Sequence, residues 1–334
     1  MTFDPIATVH RDLLVRHLSG WLGAATRQAR RATFVQAYDG PDTGAADAAL
    51  RAVATRGAAG PAGTTHAALP AGCQLSIVTL AGVPAGAGDP AELATRLGAA
   101  EAGLPPTVSV HLLPGGSAQL PVAIAATTAA RAPLLAYLDL AGGPLPEPGV
   151  LRAVASGRPA ELLITGAHRP AGDPGRPDRL RQILTGAGFP LVSAVVLRPV
   201  GAATTGAPQP RVLAFATGSG KRIEAFKDAL WAVDAPGTGF DLCDLADPSA
   251  PADSGPLRRT LLAHLTATGP RTVAEIRQFA VTQTVYRASD ASRVVAGLIT
   301  EGLVRRWPAG DRLGGDVVVT AARPGAGPPA RSSA

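Results

Sequence analysis

Three groups of residues in this 334-residue chain have types and spacings that chemistry uses. The first lies at two strand ends. Gln36-Ala37-Tyr38-Asp39-Gly40-Pro41-Asp42-Thr43-Gly44 follows an apolar run and puts two glycines and two carboxylates into one turn. Asp139 closes a second apolar run and precedes Leu140-Ala141-Gly142-Gly143. Gly40 and Gly44 suit a tight turn that needs permissive backbone angles, and Asp139 suits a strand-end cap for the next loop or helix. Strand ends are also where α/β proteins present backbone and carboxylate to a ligand. The second group, Gly218-Ser219-Gly220-Lys221, is like a phosphate loop. It lacks the spaced first glycine and the hydroxyl after the lysine, so it reads as a turn before a helix. The third is Arg287, Ser289, Ser292 and Arg293 at a helix start, with Arg305, Arg306 and Arg312 around a later turn. Arginine and serine in those places suit phosphate contact and base reading. Asp290, Glu301, Asp311 and Asp316 dilute that potential.

Other chemistries find less support. Cys73 and Cys243 are too far apart for a metal motif or a disulfide framework, so no metal site is expected. His10 and His17 share one helix face two turns apart without a third ligand nearby, which favours placement in the core or in solvent. His111 lies on a strand and reads as packing. Spacing picks out no Ser/His/Asp set.

The elements that position these residues follow from periodicity. A helix over about 9–22 is followed by strands at 32–38, 74–80, 107–112, 134–139 and 161–165. Helices are expected between them, over 44–57, 89–102, 120–131 and 148–156. A helix over 178–186 leads to two strands, 191–197 and 212–217, with no helix between them, and a helix over 223–233 follows. Such alternation with a late strand pair predicts a doubly wound Rossmann-like sheet with one antiparallel hairpin. Residues 244–256 are rich in Pro, Asp and Ser and read as a linker. Helices over 257–266, 272–279 and 289–302 and strands at 303–307 and 316–320 then predict a C-terminal winged helix over 257–322, with Trp307 in its core rather than as a stacking platform. Residues 323–334 read as a disordered tail. The expected domains are therefore 1–243 and 257–322.

Hydrophobic residues make up 46% of the chain and aromatics only 4%, so the core must rest on Leu, Val, Ile and Ala. A net charge of +6 permits an acidic partner such as nucleic acid without requiring one. No run approaches the roughly 20 apolar residues of a membrane span, and the N-terminus lacks the order of a signal peptide, so the cytoplasm is the expected compartment.

Three stretches resemble the three-Cys-motif partner protein family. His10–Tyr38 with Gly40-Pro41 is similar to that family's helix, "YL..WL", strand and "DGFAGPG" opening. Phe226–Asp234 is similar to a family segment "MK(E/D)AMWKVD", followed in both by a glycine, an aromatic and Asp-Pro, here Gly239, Phe240, Asp247 and Pro248. Thr272–Ala280 with Thr284–Arg287 resembles "TV.EL..F.L..T.YR" in the family's winged helix. The resemblance implies a class I methyltransferase-like fold, S-adenosylmethionine as cofactor where the fold is active, and a radical-SAM-like protein with three cysteines as a partner. It also implies roles for individual residues. Tyr38, Asp39, Gly40, Pro41 and Gly44 correspond to the loop that approaches the cofactor's amino-acid end, and Asp139 to the D-P-F-G type loop that orients the target.

The match breaks where the chemistry resides. Gln36 stands for the family's leading Asp, Ala37 for its first Gly and Asp42 for the Gly after Pro. The second strand ends Val78-Thr79-Leu80-Ala81-Gly82 without a ribose-binding acid, and Asp139 lacks the following Pro and aromatic. Two readings follow. The first is a degenerate, catalytically silent methyltransferase fold with no cofactor, coupled to a winged helix that binds nucleic acid or protein. The second is an active S-adenosylmethionine-dependent methyltransferase, acting on nucleic acid, in which Asp39 and Asp139 take altered roles.

Overall fold

In the computed structural model the described residues are 5–40, 42–55, 69–81, 90–167, 176–200, 209–233, 240–244, 254–308, 310 and 312–322. They form two compact units, Met1–Pro251 and Ala252–Ala334.

The first unit alternates helix and strand: α1 (Pro5–Gln28), β1 (Arg31–Tyr38), α2 (Gly44–Ala54), β2 (Gln74–Ala81), α3 (Pro90–Glu101), β3 (Val108–Pro114), α4 (Leu120–Ala126), β4 (Leu134–Asp139), α5 (Pro148–Ala155), β5 (Ala160–Ala167), α6 (Arg176–Gly186), β6 (Leu191–Pro199), β7 (Arg211–Thr217), α7 (Gly220–Val233) and β8 (Phe240–Asp244). The eight strands make one sheet in the order β3-β2-β1-β4-β5-β7-β6-β8. The first five are parallel, while β7 runs antiparallel to both β5 and β6, and β8 antiparallel to β6. The order reverses between β1 and β4, the topological switch point of a doubly wound sheet.

Side chains alternate across such a sheet, and the two faces differ in chemistry. Val35, Ala37, Val78, Leu80, Ala136, Leu138, Leu162 and Ile164 point to one side, where α4, α5 and α6 add Leu120, Ile124, Leu151, Val154 and Leu184. That side is aliphatic, and each fully buried Leu or Val contributes roughly 1.5–3 kcal/mol. The opposite face interleaves Phe34, Leu135, Leu163 and Phe215 with buried Gln36, Thr79, Tyr137, Asp139, Glu161, Thr165 and Ser193. Helix α1 lies on this polar face. It contributes Leu13, Leu14, Leu18 and Trp21 to the core, and both His10 and His17 are buried with them.

Several element boundaries differ from the periodicity. Helix α1 begins earlier and ends later than 9–22. Helix α4 stops at Ala126 rather than 131. There Thr127 turns its hydroxyl back to the Ala123 carbonyl, and Thr128 takes a φ of 51°, so two β-branched residues end the helix. Strand β8 occupies 240–244, up to the start of the expected linker, most of which lies outside the described residues. Helix α2 ends at Ala54, with Thr55 as its C-cap, short of the expected 57.

The second unit contains α8 (Ser254–Thr268), β9 (Arg271–Thr272), α9 (Val273–Gln283), α10 (Ala288–Thr300), β10 (Val304–Trp307) and β11 (Val318–Ala321). Its three short strands form an antiparallel sheet in the order β10-β11-β9. Leu257, Leu261, Leu265, Ile276, Val295, Leu298 and Val319 are its buried centre. Thr272 opens α9 with a reciprocal cap: its hydroxyl accepts from the Glu275 amide, and the Glu275 carboxylate accepts from the Thr272 amide.

Candidate functional site

The C-terminal edge of the parallel strands gathers the strand-end residues that the sequence singles out. Tyr38 ends β1 on the polar face of the sheet, fully buried. Its hydroxyl donates to Gln36 Oε1 at 3.0 Å, and Gln36 Nε2 donates to Thr79 Oγ1 on β2 at 2.8 Å. Burial, reinforced by Tyr137 and Asp139, pushes the Tyr38 phenol well above its usual range. Tyr38 is thus a core residue whose polar tip is used inside the protein.

Asp39 turns towards the loop after β3. One oxygen accepts from the Ser117 amide and the other from the Ser117 hydroxyl, both at 2.7 Å. A Cβ on Gly116 would overlap that carboxylate, so the glycine is what allows the approach. On the other side, a Cβ on Gly40 would overlap the Ala141 side chain in the loop after β4. The turn after β1 is therefore wedged between the loops after β3 and β4. Gly44 opens α2, its amide donating to Asp42 Oδ1 at 2.9 Å. Pro41 lies outside the described residues.

Asp139 is 8% exposed. Its Oδ1 accepts from the Ala141 amide at 3.0 Å, closing a turn whose Ala141 and Gly142 have φ of 45° and 89°. Burial raises the Asp139 carboxyl above its ordinary value. The Ala141 amide and Arg211 oppose the shift, while Asp42 and Asp39 add to it. A small apolar cavity of about 90 Å³ lies beside this turn, walled by Leu140, Leu145, Ile164, Leu180 and Val212.

Several polar partners on this face are not marked by the sequence. His10 is hydrogen-bonded through Nδ1 to Thr165 Oγ1 at 3.1 Å, and burial, then Arg211, lowers its pKa to about 3, so the ring is neutral. Near the other end of β5, Glu161 accepts from His17 Nε2 at 2.7 Å and from Arg222 Nε at 2.7 Å. Burial favours the protonated Glu161, but the bonds from His17 and Arg222 outweigh it and hold the carboxyl low. The seven-residue spacing of His10 and His17 signals their shared face; their partners on β5 lie too far along the chain to be paired by spacing. Among the described residues no three His, Cys, Asp or Glu side chains cluster as metal ligands. No helix among them is long and apolar enough to cross a membrane.

In the second unit the predicted contact residues divide into two sets. Arg287 caps α10, with Nε and Nη2 both 2.9 Å from the Asp290 carboxylate, and Arg293 Nη1 reaches the same carboxylate at 3.2 Å. Burial raises Asp290, but the Arg287 hydrogen bonds more than offset it and keep the group ionised. Ser292 Oγ donates to the Ala288 carbonyl and accepts from Arg277 Nε, while Ser289 is exposed on the first turn. The other set lies on the small sheet. Arg305 and Arg312 are exposed, and Arg306 Nη2 donates to the Arg312 carbonyl at 2.8 Å across the β10–β11 connection. Trp307 departs from expectation: it is 74% exposed rather than in the core. Strand alternation explains this, since Val304 points inward and residues 305 and 307 therefore point outward.

No protein-family model matches the chain, and no curated protein does. Among solved structures it is similar to EvdMO1 at 15% identity and a TM-score of 0.34, over 60% of this chain and 40% of that one. The chain therefore spans well under half the length of EvdMO1. It is also similar to protein LPL1258 from Legionella pneumophila, at 12% identity and a TM-score of 0.40, over 70% of this chain and 95% of that one. A third similarity is to Atu636 from Agrobacterium tumefaciens, described as a predicted O-methyltransferase. There the identity is 15% and the TM-score 0.32, over 61% of this chain and 81% of that one.

Proposed function

We propose that this chain is a non-catalytic interaction protein: a methyltransferase-like first unit whose cofactor corner is closed by its own side chains, joined to a winged-helix second unit that binds nucleic acid. The strand order 3-2-1-4-5-7-6-8 with an antiparallel seventh strand supports the first half of the reading. So does the resemblance to the three-Cys-motif partner family, which also suggests a radical-SAM-like protein as partner. Three helices and a three-stranded antiparallel sheet support the second half.

The observation that carries the silent reading is the double hydrogen bond from Ser117 to Asp39. It runs from the loop after β1 to the loop after β3, across the end of β2, where the ribose and amino-acid end of S-adenosylmethionine would have to lie. A carboxylate-bearing ligand placed there would also meet Asp39 and Asp42, and like charges repel. Gln36, which stands for the family's leading Asp, is consumed by Thr79 and Tyr38. The residues present do not fit the cofactor.

Calorimetry with S-adenosylmethionine and with S-adenosylhomocysteine tests this. No heat of binding is expected at millimolar ligand. Micromolar binding of either would overturn the silent reading in favour of an active methyltransferase. For the second unit, a gel shift on duplex DNA should weaken steeply as salt rises. A salt-independent shift, or none, would point to a protein partner instead.

A further inference from the structure

Charge is distributed unevenly along this chain. Residues 252–334 hold eleven arginines and six acidic residues, which places five of the chain's six net positive charges in the second unit. Within that unit α8, α9 and α10 with their caps carry five arginines against three acidic residues, Asp290 drawing in Arg287 and Arg293 and Glu301 pairing with Arg258. The small sheet and its connection add four arginines against two acidic residues. Arg305, Arg306 and Trp307 follow one another on β10, Arg271 sits on β9, and Arg312 lies in the connection, which also carries Asp311 and Asp316.

Strand β10 is the edge of its sheet, and alternation turns Arg305 and Trp307 to one outward face, with Leu303 just before the strand. Leu303 is 41% exposed and Trp307 74%. Across the ladder Arg305 faces Thr320 and Trp307 faces Val318, so the ring rests beside a small apolar side chain and leaves its surface to solvent. A large aromatic this exposed gains little from folding. A cation and an indole on one strand face match a different need: a flat surface for a base and a charge for the neighbouring phosphate.

We propose that the outward face of β10 is a nucleobase-stacking platform for single-stranded nucleic acid, with Trp307 under an unpaired base and Arg305 and Arg312 on the flanking phosphates. This rests on the reading of the second unit as a nucleic-acid module and adds a single-strand contact on the sheet to the duplex contact expected of α10. Stacking is tolerant of sequence because every base has a π face, so the preference is for unpaired strand over duplex.

The test uses the full chain, a labelled twelve-nucleotide oligothymidylate and a blunt duplex of the same length, with anisotropy and tryptophan emission read together. The single strand is expected to bind more tightly than the duplex and to quench tryptophan emission. Trp307→Ala should abolish that quench and weaken single-strand binding by about 10- to 100-fold, while Trp307→Phe keeps most of the affinity. Arg305→Ala should lower the slope of log affinity against log salt by about one. An unchanged melting temperature shows that the Trp307 variants fold. Duplex binding that Trp307→Ala leaves intact, with no preference for single strand, overturns the platform yet spares the nucleic-acid reading. Failure of both probes to bind overturns both.

Discussion

His17 and Glu161 meet beneath α1, Nε2 to Oε2 at 2.7 Å, although 144 positions separate them in the chain. Glu161 is 2% exposed and is shared with Arg222, so one carboxylate ties α1, β5 and α7 together. Removing one partner from a buried charged network leaves the others uncompensated. Glu161→Ala is expected to lower stability by about 3–5 kcal/mol, read by urea unfolding at neutral pH. A loss below 1 kcal/mol would mean that the network contributes little. The pH dependence has a definite sign. Glu161 titrates lower in the folded protein than its ordinary 4.5, so its contribution is complete above that value and fades as pH falls towards the folded value.

His10 gives a second pH signature. Its folded pKa of about 3 lies below the ordinary 6.5, so the unfolded chain binds one more proton between these values. Stability is therefore full above pH 6.5 and declines on acidification, by about 1.4 kcal/mol per pH unit near pH 5. Comparing wild type with His10→Met isolates this slope from that of the carboxylates. Equal slopes in the two proteins would show that His10 is not held neutral.

The wedge between Asp39 and Gly116 predicts a steric coupling. Gly116→Ala places a methyl against the Asp39 carboxylate and should cost about 1–3 kcal/mol. In an Asp39→Ala background the same substitution should cost clearly less. A double-mutant cycle with no interaction energy would mean that the loops after β1 and β3 do not press on one another.

Asp290 restrains two of the cations at the start of α10. Asp290→Asn keeps an acceptor for the Arg287 amide while releasing the guanidinium groups of Arg287 and Arg293 from a charge. Duplex affinity should rise several-fold at low salt, and the salt slope should steepen by about 1–2. An unchanged affinity and slope would show that α10 lies away from the phosphates.

The reciprocal cap of α9 is testable by stability alone. Thr272→Ala removes the hydroxyl that accepts from the Glu275 amide and should cost about 1 kcal/mol, seen as a lower melting temperature of the second unit.

Much of the architecture could be read from period and parity. Val35 and Ala37 against Phe34, Gln36 and Tyr38 already show a strand covered on both sides, and the missing helix between β6 and β7 marks the antiparallel pair. Short elements escaped: Phe240–Asp244 is five residues beside a loop-like stretch, and β9 is only two residues long. At the candidate site, Gly40 and Asp139 stood out as strand-end residues, but Ser117 did not, because it meets Asp39 across 78 positions. Trp307 lies outside the core that its placement in the winged helix predicts, because period-two alternation from Val304 turns it outward.

The polar face under α1 has a consequence for synthesis. Helix α1 emerges before the strands it packs on, yet His10 bonds to a residue 155 positions later, and the carboxylate that receives His17 is completed by Arg222. At roughly 5–20 residues per second, the intervening stretch of about 200 residues takes on the order of 10–40 s to appear. During that interval Leu13, Leu14, Leu18, Trp21 and Leu22 have only part of the sheet to cover them. Docking of α1 is therefore completed only after α7 has been made, late in the synthesis of the first unit.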